Sequence, residues 1–85
     1  MSESRDTMIR RLRMRSMRRG IKEMDLILDE YANRNLDAMD EDALHLYDAL
    51  LEENDQDLYR WVTGQEPGPE RFAALIGDIS VVFQK

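Results

Sequence analysis

The stretch RGIKE, residues 19–23, separates an arginine-rich segment from a long acidic remainder and so decides how the chain is divided into helices. Gly20 favours a turn, because glycine is common where helices end. Glu23 suits the first turn of a following helix, where a carboxylate meets the positive end of the helix dipole. The stretch therefore predicts that a basic helix ends near Arg19 and that an acidic helix begins close by.

Downstream of this boundary, apolar residues recur with the spacing of helices. Met24, Ile27, Leu28 and Tyr31 lie at i, i+3, i+4 and i+7, which places them on one helix face. Three further runs share this spacing: Ala43, Leu46, Tyr47, Leu50 and Leu51; Leu58, Trp61 and Val62; Phe72, Leu75, Ile76, Ile79 and Phe83. No window alternates apolar and polar residues as a strand would. The pattern predicts an all-α protein, a compact bundle of about five short helices in a single domain, 1–85, with residues 1–6 flexible.

The breaks between the runs carry residues that begin helices. Asp40 is a predicted N-cap, and either Asn54 or Asp55 is predicted to cap the next helix. Pro69 can open the last helix, because proline is well tolerated in a first turn. Glu53, Asp55 and Asp57 alternate as in a calcium loop, but Leu58 follows where such a loop needs glycine. We therefore interpret these carboxylates as caps and solvated surface.

Composition argues against several kinds of chemistry. The 85 residues include no cysteine, which excludes disulfides, thiolate metal sites and thiol catalysis. The single histidine, His45, cannot build a histidine-based metal site, and no serine stands in a recognised nucleophile motif. No stretch approaches the roughly 20 apolar residues of a membrane span. We predict a protein that is not an enzyme, with no catalytic residue, no metal site and no cofactor of its own.

Charge is distributed unevenly along the chain, whose formal net charge is −6. Residues 1–22 carry eight basic and two acidic residues, a net +6, whereas residues 23–85 carry four basic and sixteen acidic residues, a net −12. Either the two ends meet different surroundings, or the basic segment lies across the acidic body. The first interpretation allows nucleic-acid binding, but no aromatic residue is interleaved with the arginines to stack on bases, which argues against it.

Two methionines of the basic helix lie off its apolar face. Met8, Ile9 and Leu12 share that narrow face, whereas Met14 and Met17 project elsewhere among arginines. Methionine and arginine are both enriched at protein interfaces, which favours a docking surface. The alternative is that the two methionines fill gaps against the last helix.

The run from Arg18 to Leu28, with Arg-Gly-x-x-Glu followed by Met-Asp and an apolar stretch, resembles the signature of the SdhE-like family of succinate dehydrogenase assembly factors. A second block, Asp55-x-Asp57-Leu58-Tyr59-x-Trp61, is similar to the family's acidic turn and aromatic helix. The resemblance covers roughly residues 8–79, with both blocks at the family's spacing, and members of the family have also carried an antitoxin label.

The resemblance implies a five-helix bundle that binds the flavoprotein subunit of succinate dehydrogenase, and in some bacteria that of fumarate reductase. It implies that the protein promotes the covalent bond between FAD and a histidine of that subunit. The partner-binding residues implied by position are Arg19, Gly20 and Glu23, with Met17, Arg18 and Asp25 as neighbours. We expect the chain to act by binding a partly closed flavoprotein and shifting its population toward the attachment geometry.

Three further expectations concern location, assembly and function. Glu3 and Asp6 weaken the interpretation of the N-terminus as a transit peptide, and there is no secretory apolar core, which predicts a cytoplasmic protein without a membrane partner. A monomer is expected, with a domain-swapped dimer as the alternative. A small helical antitoxin or adaptor is the alternative function.

Overall fold

The computed structural model describes residues 3–84, which form five α-helices and no strand. The helices are α1 (Arg5–Met17), α2 (Lys22–Asn35), α3 (Glu41–Leu50), α4 (Asp55–Val62) and α5 (Ala73–Gln84). Single turns of 3-10 helix, Leu36–Ala38 and Glu70–Phe72, lead out of α2 and into α5. The prediction of an all-α bundle of about five short helices is confirmed. None of the helices within residues 3–84 combines the length and apolar character needed to cross a membrane.

Polar side chains begin three of the helices. Ser4 Oγ accepts a hydrogen bond from the Thr7 amide at 3.2 Å, so α1 extends into the segment 1–6 that the sequence predicts to be flexible; residues 1 and 2 lie outside the described residues. Asp40 caps α3, as predicted, by accepting from the Ala43 amide at 2.8 Å. Of the two candidates for α4, Asn54 is the cap. Asp55 is thereby left for a different contact, described below.

Helix α2 lies at the centre of the bundle and packs against α1, α4 and α5. Its Met24 and Leu28 are fully buried in one continuous apolar core to which every helix contributes. The buried face of α5 differs at one position from the face predicted by the apolar spacing, which ended at Phe83. Val82 is buried at the end of the stripe, whereas Phe83 is 42% exposed and packs edge-on against Tyr59, with ring centroids 6.5 Å apart.

The methionines of α1 divide between core and surface. Met8 is buried in the core, whereas Met14 and Met17 are each 51% exposed. The interpretation of Met14 and Met17 as gap-fillers against the last helix is therefore wrong. These two side chains instead add apolar area to the outer face of α1.

The buried polar groups of the core form one short hydrogen-bonded chain. Ser16 Oγ donates to the Leu12 carbonyl at 2.7 Å, so the Tyr47 hydroxyl, 2.6 Å from Ser16 Oγ, must be the donor in that second contact. The ring of Tyr31 lies against that of Tyr47, with centroids 5.7 Å apart. Burial raises the pKa of both tyrosines to about 12, because the charged phenolate is poorly solvated there.

These shifts predict a loss of stability in alkali. Below the ordinary tyrosine pKa of 10.0 the contribution of Tyr31 and Tyr47 to stability is fully present, and it is lost as the pH rises from about 10 to about 12. Each unit of pKa difference corresponds to about 1.4 kcal/mol. Urea unfolding followed across this pH range should show the decline, and Tyr47→Phe should make it shallower. The same slope in both proteins would contradict the assignment.

Candidate partner-binding surface

The RGIKE stretch is the connection between α1 and α2. Helix α1 ends at Met17 and α2 begins at Lys22, which confirms a helix boundary at this stretch and a place for Glu23 in the first turn of α2. Gly20 does not have a positive φ; among the described residues only Gly64 does, with φ 81°. Glycine is common at helix ends because it can adopt the left-handed conformation. Gly20 does not adopt that conformation, so a different feature must explain the glycine at this position.

Gly20 is instead approached closely by the side chain of Asp55, from the first turn of α4. The Gly20 amide donates to Asp55 Oδ2 at 2.5 Å, and Arg19 Nε donates to Asp55 Oδ1 at 2.6 Å. A Cβ atom on residue 20 would lie 3.1 Å from Asp55 Oδ2. Asp55 is therefore not simple solvated surface, as the sequence suggested, because its carboxylate joins α4 to the α1–α2 connection.

Arg19 is nearly buried beneath this connection. Its side chain is 9% exposed, and its guanidinium also donates to the carbonyls of Leu51 at 3.0 Å and Glu53 at 3.2 Å, in the turn between α3 and α4. The Arg19 amide donates to the carboxylate of Asp25. Of the six residues expected at a partner contact, Arg19 and Asp25 thus use their side chains within the chain, and Gly20 uses its amide there.

The other four expected residues, Met17, Arg18, Gly20 and Glu23, are exposed. The side chains of Arg18 and Glu23 make no hydrogen bond or ion pair within residues 3–84, so a cation and an anion on either side of Gly20 remain available to another molecule. We call these four residues the junction surface. Leu26 follows Glu23 by three residues on α2 and is 63% exposed. The apolar periodicity of the sequence did not single out Leu26.

Most of the arginines of the basic segment are paired with the acidic body. Arg11 and Arg15 both bond to Asp48, at 3.0 Å and 2.7 Å, and Arg15 also reaches Glu52 at 2.7 Å. The hydrogen bonds from Arg11 hold the pKa of Asp48 below its ordinary value. With Arg19 and Asp55, these pairs form a ladder in which arginines at four-residue intervals face acids at intervals of four and three residues.

The ladder decides between the two interpretations of the charge asymmetry, because the basic segment does lie across the acidic body. Arg13 also pairs with Asp37, at 3.0 Å, so four of the seven arginines in residues 1–22 pair with acids of residues 23–85. The regular spacing of Arg11, Arg15 and Arg19 is the sequence signal that could have indicated this pairing. Within residues 3–84, no three His, Asp or Glu side chains come together in a way that could hold a metal ion.

Comparison with known proteins finds similar chains in several fungi. The chain is 40% identical over 70 residues to a protein of Schizosaccharomyces pombe, 41% over 73 residues to one of Meyerozyma guilliermondii, and 45% over 74 residues to one of Candida glabrata. The matches cover 82%, 82% and 84% of this chain and 50%, 54% and 48% of the respective relatives. Each relative is named succinate dehydrogenase assembly factor 2, mitochondrial. The chain spans about half the length of the curated relatives that it matches.

These names contradict the cytoplasmic location predicted from the sequence, since they point to the mitochondrion. The prediction relied on Glu3 and Asp6 as residues that a transit peptide would avoid. In the structure both acids have local roles in the fold. Glu3 pairs with Arg11 at 2.8 Å, and Asp6 lies in the first turn of α1. The presence of Glu3 and Asp6 is therefore explained by their roles at the start of α1, and it does not indicate in which compartment the protein is found.

A family model described as flavinator of succinate dehydrogenase matches residues 10–82. The match includes the junction surface, the last eight residues of α1, all of α2, α3 and α4, and the turn that holds Arg19. It extends over most of α5 and so takes in nearly the whole bundle. The chain therefore belongs to the family of flavinators of succinate dehydrogenase.

Proposed function

We propose that this chain is an assembly factor that binds the flavoprotein subunit of succinate dehydrogenase and promotes the covalent attachment of FAD to that subunit. Membership of the flavinator family is the observation that carries the proposal. The relatives' names as succinate dehydrogenase assembly factors support it as well.

The junction surface is the part of the fold that suits this role best. Arg18 and Glu23 carry opposite charges, and neither side chain has to break an ion pair within residues 3–84 before it can bind another molecule. Met17 adds adaptable apolar area, and Gly20 leaves backbone accessible between the two charges. Methionine and arginine are both enriched at protein–protein contacts.

We infer that the chemistry of attachment belongs to the flavin and to the flavoprotein. The contribution of this chain is then to bind one conformation of the flavoprotein more tightly than the others, which raises the population of that conformation. Such an effect requires a difference in affinity between conformations, so we infer weaker binding once the flavin is attached and the enzyme assembled.

The proposal predicts a faster flavin attachment in a purified system. Flavoprotein subunit prepared without covalent flavin is incubated with FAD, with and without this chain, and is then denatured and examined for protein-bound flavin fluorescence. We expect attachment to be at least about tenfold faster with the chain, as for a well-positioned reaction. Flavoprotein of fumarate reductase, used in a parallel arm, tests the breadth of partners.

Two variants serve as controls for this assay. The double variant Arg18→Ala/Glu23→Ala removes both charges of the junction surface and should lose most of the acceleration. Asp78→Ala removes an exposed acid from α5 and should retain it. Equal rates of attachment with and without the wild-type chain would reject the proposed function.

A further inference from the structure

We propose that Asp55 is a positioning residue for the junction surface, and that residue 20 is glycine because the Asp55 carboxylate occupies the space beside it. This inference rests on the proposed function only where flavoprotein binding is the readout. Its structural part concerns contacts within the chain. Asp55 lies in α4, so it acts on the surface from outside the two helices that form it.

The connection between α1 and α2 depends on side chains for its conformation. The amides of Arg19 and Gly20 both donate to carboxylates, those of Asp25 and Asp55 respectively. Each of these amides would otherwise need water or a carbonyl as its partner. Because the two carboxylates come from α2 and α4, the connection is fixed by the tertiary structure.

A carboxylate at position 55 is suited to this task in a way that few side chains are. Its two oxygens accept from different donors, the Arg19 guanidinium at 2.6 Å and the Gly20 amide at 2.5 Å, and both hydrogen bonds have a charged member. The Asn54 side chain caps α4, so the Asp55 side chain is not used for that purpose. Its side chain is 18% exposed, which limits competition from water.

The position of the Asp55 carboxylate explains why residue 20 is a glycine. A Cβ at 3.1 Å from Asp55 Oδ2 is closer than an ordinary contact, so a larger residue at position 20 pushes the carboxylate away from the amide that it accepts from. The hydrogen bond that fixes the connection at Gly20 is then weakened, and with it the spacing of the two free charges, Arg18 and Glu23. Gly20 and Asp55 therefore act as one unit.

Amide hydrogen exchange tests the structural part without any partner. We expect Asp55→Asn to raise the exchange rate of the Gly20 amide at least about tenfold, because a charge-assisted hydrogen bond is lost. Asp57→Ala is the matched control, since Asp57 lies in the same turn of α4 and pairs with Arg60. Its Gly20 exchange rate should stay within about twofold of the wild type. Equal exchange at Gly20 in the wild type and Asp55→Asn would overturn the proposal.

A double-mutant cycle tests the coupling. Gly20→Ala should reduce affinity for the purified flavoprotein subunit about tenfold in the wild-type background, and by less than about twofold when Asp55→Asn is already present. Circular dichroism spectra confirm that the compared variants are folded. Additive losses would overturn the coupling, even if exchange at Gly20 responds as expected. Failure of the wild-type protein to bind any flavoprotein would contradict the proposed function and leave the exchange result to decide the role of Asp55.

Discussion

Replacing Arg19 with alanine is expected to lower the free energy of unfolding by about 3–5 kcal/mol, the usual cost of removing one partner from a buried ion pair. The Arg19 side chain is 9% exposed and serves the Asp55 carboxylate and two carbonyls at the α3–α4 turn. Its removal takes a charged donor from all three acceptors in a place where water has little access, and leaves Asp55 with the Gly20 amide and the Leu51 carbonyl with Arg15. Urea unfolding, followed by the helical signal in circular dichroism, measures the loss.

Arg18→Ala is the matched control for this experiment, because Arg18 is adjacent, exposed and without a side-chain partner in the described residues. We expect its unfolding free energy to stay within about 0.5 kcal/mol of the wild type. Similar losses for the two variants would contradict the distinction between a buried clamp and a free surface charge. A domain of this size has a total stability of only about 5–15 kcal/mol, so loss of function in Arg19→Ala cannot be assigned to a partner contact alone.

The second large effect is expected from Gly20→Arg, and it concerns function. Gly20 is exposed, and the contact that its Cβ would make is with a side-chain oxygen, which can shift by a few tenths of an ångström. The protein should therefore remain folded, with a near wild-type circular dichroism spectrum. A long cation would, however, cover the space between Arg18 and Glu23 and disturb the Asp55 contact. We expect cells that carry only Gly20→Arg to contain as little covalent flavin in the succinate dehydrogenase flavoprotein as cells without the gene.

Gly77→Arg provides a control with the same chemical change elsewhere. Gly77 is exposed on α5, and nothing lies within 4 Å of the Cβ that a substitution would add. Arginine also favours helix by nearly 1 kcal/mol relative to glycine, so this variant should be at least as stable as the wild type. Cells with Gly77→Arg should retain covalent flavin. Equal flavin in the cells with either variant would show that position 20 has no special role.

The helices could be predicted from the sequence because their signals are local. The apolar residues Met24, Ile27, Leu28 and Tyr31 all lie within two turns of one helix. The cap at Asp40 accepts a hydrogen bond from an amide only three residues away. Local signals of this kind do not depend on how the helices are arranged. The same reasoning placed the helix boundary near Gly20.

The construction of the candidate surface could not be predicted in the same way, since it depends on contacts between distant residues. Arg19 and Asp55 are 36 positions apart, and the motif containing Arg19 does not indicate that its side chain is buried. Both Asn54 and Asp55 are good caps, so only the tertiary structure shows which of them is free for another role. The exposure of Met17 and the lack of side-chain partners for Arg18 and Glu23 also emerge only from the packed bundle.

A titration shows whether the junction surface binds the succinate dehydrogenase flavoprotein. Purified flavoprotein subunit without covalent flavin is titrated with wild-type protein, Gly20→Arg and Gly77→Arg. We predict that the wild type and Gly77→Arg bind with the same affinity, whereas Gly20→Arg binds at least about thirtyfold more weakly, as expected for a change at the centre of an interface. Equal affinity for Gly20→Arg and Gly77→Arg would contradict it.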